Sequence, residues 1–150
     1  KMKCPYCSYG ETKVIDSRES ENGSFVRRRR ECIKCSKRFT TYERIERSFV
    51  VIKKDTRRES YRRDKLALGI EKACEKRPIS QEIIEKMLDE IENELQNLGE
   101  NEIESKIIGD IVTEKLKTLD HVAYIRFASV YKQFEDLSSF EEELKKLKDE

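Results

Sequence analysis

The chain has 150 residues, of which 42% are charged and 36% hydrophobic, with a mean hydropathy of −0.84. No apolar run approaches the roughly 20 residues that span a bilayer and no secretory segment precedes Cys4, which excludes a membrane span and leads to the expectation of a soluble, cytoplasmic protein. The net charge of +1 conceals an asymmetry: residues 1–65 hold 20 Lys and Arg against 10 Asp and Glu, residues 66–150 hold 12 against 21, so the front is basic and suited to polyanions.

Cys4, Cys7, Cys32 and Cys35 form two Cys-x-x-Cys pairs with 24 residues between them. Each pair sets two thiolates on one tight turn, and two such turns face to face supply the four soft ligands of a tetrahedral Zn²⁺. With all four positions taken by protein, the metal is expected to be structural, folding a segment too small to bury its own core. Two disulfides would need an oxidising compartment, and a redox Cys-x-x-Cys normally occurs once, opening a helix. Between the pairs lie β-like runs, Thr12 to Asp16 and Phe25 to Arg30, with Arg38 to Tyr42 following, and Glu21-Asn22-Gly23-Ser24 predicts a hairpin tip. This is the pattern of a zinc ribbon, and its boundary is expected near Arg47.

Phe49 to Ile52 opens a second unit, and Val51 to Tyr61 predicts strand, turn, strand. Helices follow. Leu66, Ile70, Ala73 and Cys74 make one apolar face; Ile83, Ile84, Met87, Leu88, Ile91, Leu95 and Leu98 make a longer one that ends at Gly99. Pro78 separates the two. Ser105 is expected to cap a helix carrying Ile107, Ile108, Ile111, Val112 and Leu116, and Asp120 another carrying Val122, Phe127, Val130 and Phe134. Ser139-x-x-Glu142 predicts a capping box for a final charged helix to about Lys148, expected to be peripheral. The fold class is thus α+β: a small N-terminal zinc ribbon, then a mainly helical domain with a short β-hairpin.

Arg27-Arg28-Arg29-Arg30 lies directly before the second cysteine pair, with Arg18, Lys34, Lys37, Arg38 and Arg44 nearby. Guanidinium groups bind phosphates and read guanine edges, so Arg18, Arg27, Arg28, Arg29, Arg30, Lys37, Arg38 and Arg44 are the candidate DNA contacts. On a strand neighbouring residues face opposite ways, so at most two of the four consecutive arginines share a face. The segment from Lys53 to Lys65 presents Lys53, Lys54, Arg57, Arg58, Arg62, Arg63 and Lys65 around a hairpin and a helix start, which suits a polyphosphate. There is no Gly-x-x-x-x-Gly-Lys-Ser/Thr and no Gly-x-Gly-x-x-Gly. Catalysis is poorly served: His121 is the single histidine, and Cys74 on an apolar helical face fits a buried inert thiol.

Cys4-Pro5-Tyr6-Cys7, Asp16-Ser17-Arg18, Arg27 to Cys35, Arg38-Phe39-Thr40-Thr41-Tyr42-Glu43-Arg44, Val51-Ile52-Lys53, Lys76-Arg77-Pro78 and Tyr124 to Tyr131 together resemble the NrdR family of bacterial transcriptional repressors. The resemblance covers about residues 2–136. It implies a zinc ribbon over 1–46, an ATP-cone over 47–137 and a charged C-terminal helix or tail over 138–150. It further implies repression of ribonucleotide reductase genes through double-stranded operator DNA, in a protein of the nucleoid. ATP and dATP, with Mg²⁺, would act as allosteric effectors that set a homo-oligomeric state. Carried onto this sequence, the nucleotide contacts fall on Lys53, Lys54, Glu59, Arg62, Lys65, Tyr124 and Tyr131. One departure is Thr56, where the cone hairpin commonly has glycine, and a β-branched residue resists positive φ. The competing readings are a nucleotide-binding enzyme, or a reductase-accessory protein, that uses the ribbon for docking.

Overall fold

The computed structural model describes residues 1–132, 134 and 136–150. They form two compact units, Lys1–Glu46 and Arg47–Glu150.

The first unit is a three-stranded antiparallel sheet in the order β1-β2-β3, formed by β1 (Thr12–Glu19), β2 (Phe25–Cys32) and β3 (Arg38–Arg44). Val, Ile, Phe, Thr and Tyr supply the β-propensity in all three strands. At the β1–β2 tip Gly23 takes φ +70° and the Asn22 carboxamide accepts from the Ser24 amide at 3.1 Å, so the turn forms where the sequence placed it. The strands run longer than the sequence runs indicated, because a bulge between Val14 and Asp16 lets β1 keep pairing to Glu19.

The second unit opens with β4 (Val50–Ile52) and β5 (Arg58–Ser60), paired antiparallel as the strand, turn, strand reading expected. A third strand escaped it. β6 (Glu102–Glu104) pairs parallel to β4, giving the order β5-β4-β6, and buries Ile103 completely between two exposed glutamates. Helices α1 (Arg63–Cys74), α2 (Gln81–Asn97), α3 (Ser105–Leu119), α4 (His121–Tyr131) and α5 (Leu137–Lys148) complete the unit. Ile70, Leu88, Ile91, Leu95, Ile103, Val112 and Leu116 form its fully buried centre, each stabilising the fold by about 1.5–3 kcal/mol.

Several local expectations require correction. Ser105 is the first residue of α3 rather than its cap, which is Glu104 without a side-chain bond. Helix α5 starts at Leu137 and is capped by Asp136, whose carboxylate accepts from the Ser139 amide at 2.8 Å; it is therefore not a Ser139 capping box. Nor is α5 peripheral, since Leu147 and Glu143 are buried. On α4 the buried residues are Ala123, Tyr124 and Ala128, while Val122 and Val130 face outward at 38% and 77% exposure. The small residues win the inner face because α3 and α1 both pack closely against α4. Asp120 caps α4 as expected, accepting from the Ala123 amide at 2.9 Å, and Cys74 is a buried thiol whose pKa desolvation pushes up.

Candidate functional site

The four cysteines converge from two equivalent turns. Cys4 O accepts from Ser8 N at 2.9 Å and Cys32 O from Ser36 N at 3.1 Å, and both serines sit at positive φ, 63° and 61°. Each turn also aims amides at its first sulfur: Tyr6 N lies 3.4 Å from Cys4 Sγ, and Lys34 N 3.3 Å from Cys32 Sγ. Across the gap, Cys4 and Cys35 approach to 3.6 Å, as do Cys7 and Cys32, and all four sulfurs lie within 4.8 Å of one another. A tetrahedron with metal–sulfur bonds of about 2.3 Å has edges of about 3.8 Å, so the set fits a thiolate-bound ion. Burial opposes ionisation of Cys4, yet amide donors from Cys7 and Tyr6 bring its thiol down to about 6. Cys35 goes the other way, to about 11: the Lys37 amide favours its thiolate, but burial and the neighbouring thiols outweigh that. A divalent cation at the centre removes this conflict between crowded thiolates.

Cross-strand register sorts the ribbon's arginines. Arg27 and Arg29 of β2 share one face with Arg18 of β1 and with Arg38 and Arg44 of β3. Arg28 and Arg30 lie on the other face, where Arg28 bonds Ser17 and Glu43, each at 3.1 Å, and Arg30 bonds Thr41 at 2.9 Å. On the first face the Arg44 guanidinium lies over the Tyr42 ring at 4.7 Å and the Phe25 ring at 5.5 Å. Arg18 pairs with Asp16 at 3.2 Å and Arg38 with Glu31 at 2.9 Å; the Arg38 hydrogen bond holds the Glu31 carboxyl below its ordinary range. Lys37 sits over the Tyr6 ring at 4.9 Å, beside the cysteine turns.

In the second unit a cavity of about 590 Å³ opens against the β4–β5 hairpin. Lys53, Lys54, Arg57, Glu59, Arg62 and Lys65 give it a charged rim, while Leu66, Ile108, Val112 and Phe127 give it an apolar wall. Glu59 stands among cations, 3.5 Å from Lys65 and 3.8 Å from both Lys53 and Arg57. Tyr131 lines the cavity and donates its hydroxyl to the Lys106 carbonyl at 2.8 Å; desolvation and the nearby Asp110 push its pKa up. One helix-interior glycine, Gly109, makes room for the aromatic wall, whereas Gly69 would tolerate a side-chain carbon. A Cβ on Gly69 would lie 3.7 Å from Phe127, and one on Gly109 would overlap the Tyr131 ring.

The comparisons with known proteins match this division. Residues 2–43 match the N-terminal domain of NrdR-like transcriptional repressors, and residues 49–137 match the ATP cone domain. A transcriptional repressor NrdR of Petrotoga mobilis is 58% identical over 148 residues, covering 98% of this chain and 99% of that one. The same-named protein of Thermoanaerobacter sp. (strain X514) is 57% identical over 147 residues, covering 97% and 93%, and that of Clostridium tetani 55% over 149 residues, covering 99% and 98%. The chain belongs to the NrdR family. Its two parts are therefore an NrdR-type zinc ribbon and an ATP-cone, in a family of transcriptional repressors and not of enzymes.

Within this NrdR-family chain the fold brings Lys53, Lys54, Glu59, Arg62, Lys65 and Tyr131 to one cavity. Tyr124 it places elsewhere. That ring is buried, and its hydroxyl donates to Glu143 and accepts from Lys132 at 3.1 Å, so it ties α5 to α4. Arg58 and Arg63 also leave the cation cluster that the sequence drew, for Glu102 at 2.9 Å and for carboxylates of α2. Sequence reasoning passed over Gly69, Gly109 and Ser105, which line the same cavity. For Gly109 a signal was present: a lone glycine inside a helical pattern costs stability and so points to a packing reason, here the Tyr131 ring. No helix among the described residues is long and apolar enough to cross a membrane.

Proposed function

We propose that this chain represses ribonucleotide reductase genes by docking its ribbon on double-stranded operator DNA, and that adenine nucleotide in the cone governs the docking by setting how copies assemble. The observation that carries this reading is the combination, in one NrdR-family chain, of a closed four-cysteine cluster, an arginine-rich sheet face and a cation-rimmed cavity. Zn²⁺ on Cys4, Cys7, Cys32 and Cys35 holds the ribbon in shape and performs no reaction. The phosphates of ATP or dATP, with Mg²⁺, take Lys53, Lys54, Arg62 and Lys65, the base lies toward the apolar wall, and Glu59 accepts from its exocyclic amine. Tyr131 offers a ring edge and a hydroxyl near the sugar. The ribbon face bearing Arg18, Arg27, Arg29, Arg38 and Arg44 meets the DNA, with Lys37 beside it, while Arg28 and Arg30 on the opposite face brace the strand, as Arg29 also does through Thr40 at 2.9 Å. One ribbon offers few phosphate contacts and weak, salt-sensitive binding, so several must engage one operator together. Nucleotide-dependent assembly then decides whether ribbons match the half-site spacing, and the deoxynucleotide-loaded form represses.

Replacing Cys32 with serine tests the division of labour. The expected outcome is loss of bound zinc and of operator binding, with ATP affinity of the cone unchanged. Unaltered operator affinity in that variant would contradict the zinc assignment.

A further inference from the structure

Residues 61–65 carry the hairpin into α1 and face two ways. Arg62 and Lys65 line the cavity, whereas Arg63 turns inward with only 20% of its side chain exposed. Its guanidinium meets Glu85 Oε2 at 2.9 Å, Asp89 Oδ1 at 2.9 Å and a carboxylate oxygen of Glu92, and it also lies 3.4 Å from the Glu85 carbonyl. Glu85, Asp89 and Glu92 recur at helical spacing along one stripe of α2, beside the fully buried Leu88 and Ile91. Tyr61 is held as well: its ring stacks on Phe49 with centroids 4.5 Å apart while it forms part of the cavity wall.

The residue in the capping position of α1, Arg62, has extended backbone and no side-chain bond to the amides that follow; its carbonyl accepts from the Leu66 amide at 3.4 Å, and its guanidinium pairs with Asp64 of the first turn at 2.5 Å. Those amides, with Arg62 and Lys65, are the anion-facing end of the helix. A phosphate site built from one uncapped turn works only if that turn is rotated correctly, because one residue of rotation is about 100°. Ile70, Ala73 and Cys74 hold the C-terminal half of α1 in the core, but its first turn carries only the half-buried Leu66. A planar guanidinium bonded to three carboxylates on a neighbouring helix resists rotation strongly.

We propose that Arg63 is a positioning residue for the phosphate end of the cavity: its anchorage to Glu85, Asp89 and Glu92 fixes the rotation of α1 and so aims Arg62, Lys65 and the uncapped amides at the bound polyphosphate. The proposal rests on the nucleotide reading of the cavity. It accounts for why two adjacent cations pair differently, Arg62 with the exposed Asp64 of its own turn and Arg63 with the half-buried stripe of α2, and why α2 turns three carboxylates toward the start of α1.

The test uses the zinc-loaded chain with ATP and inorganic tripolyphosphate as separate calorimetric titrants, together with amide hydrogen exchange of residues 66–69, whose amides bond back to the first turn. Arg63→Lys keeps the charge but loses the fork; it is expected to weaken both ligands by a similar factor of about ten and to speed exchange of those amides. Arg63→Gln with Asp89→Asn balances the removed charge, so that a folded protein remains for measurement, and should show the same paired loss. Folded variants that keep both ligands within about two-fold of wild type, with unchanged exchange at 66–69, would overturn the proposal, as would a loss confined to ATP. Wild-type protein that bound neither titrant would instead overturn the nucleotide reading, and the exchange data would still report whether Arg63 orders the turn.

Discussion

Thr56 holds the β4–β5 turn at φ 69°, where its amide donates to the Lys53 carbonyl at 2.9 Å and Arg57 N closes on Asp55 Oδ1 at 3.2 Å. An L-residue in that region costs about 1–2 kcal/mol and glycine avoids this, although glycine loses about 0.5–1 kcal/mol more backbone entropy on folding. Thr56→Gly should therefore raise the stability of the cone by about 0.5–1 kcal/mol, read from its urea unfolding transition without nucleotide; a loss of stability would mean the threonine side chain makes compensating contacts. Asp120 has two roles, capping α4 and accepting Arg77 at 3.0 Å. Asp120→Ala should cost about 1–2 kcal/mol, since a cap alone is worth about 1. The Arg77 hydrogen bond lowers the Asp120 pKa below its ordinary 3.8 despite burial. Its stabilising effect is thus complete above pH 3.8 and fades as pH falls through the lower folded value. The difference in stability between wild type and variant should narrow on acidification, and a gap that widened would contradict the pairing.

Helix α5 lies almost wholly beyond the span matched by the cone family, yet it is fastened to the cone. Leu147 enters the core, Glu143 meets Tyr124 and Lys132, Phe140 packs edge-on against Phe134 at 5.4 Å, and Glu150 pairs with Lys117 at 2.6 Å. Leu147→Ala should destabilise the cone by about 2–3 kcal/mol, a cost that a frayed tail would not show. At this scale the sequence was an uneven guide. The cysteine spacing, the Asn22-Gly23 tip and the long apolar stripe of α2 each carry their own local cause, so ribbon, hairpin and helix were legible. β6 was not, because three residues with one buried isoleucine leave no period, and its partner β4 lies some fifty residues earlier. The fates of Arg58, Arg63 and Tyr124 were hidden for the same reason: each is fixed by a residue 19 or more positions away. Nothing in a run of cations marks which ones the fold will use internally.

For the whole molecule, the charge asymmetry of the sequence resolves into a basic ribbon and a second unit in which Lys53, Lys54, Arg57, Arg62 and Lys65 gather at one cavity. On the proposed function, with the ribbon as reader and the cone as sensor, the metal and the nucleotide would act on different steps. Removing zinc with a chelator should abolish DNA binding and leave nucleotide binding intact, whereas disabling the cavity should leave a folded ribbon that no longer responds to ATP or dATP. The most direct test is sedimentation velocity of the full chain with a fluorescent duplex taken from upstream of a ribonucleotide reductase gene, run without nucleotide, with ATP and with dATP. Assemblies of different mass are expected in the three samples, with the duplex travelling mainly with the dATP-loaded form. One mass and one DNA affinity under all three conditions would contradict control of the ribbon by the cone.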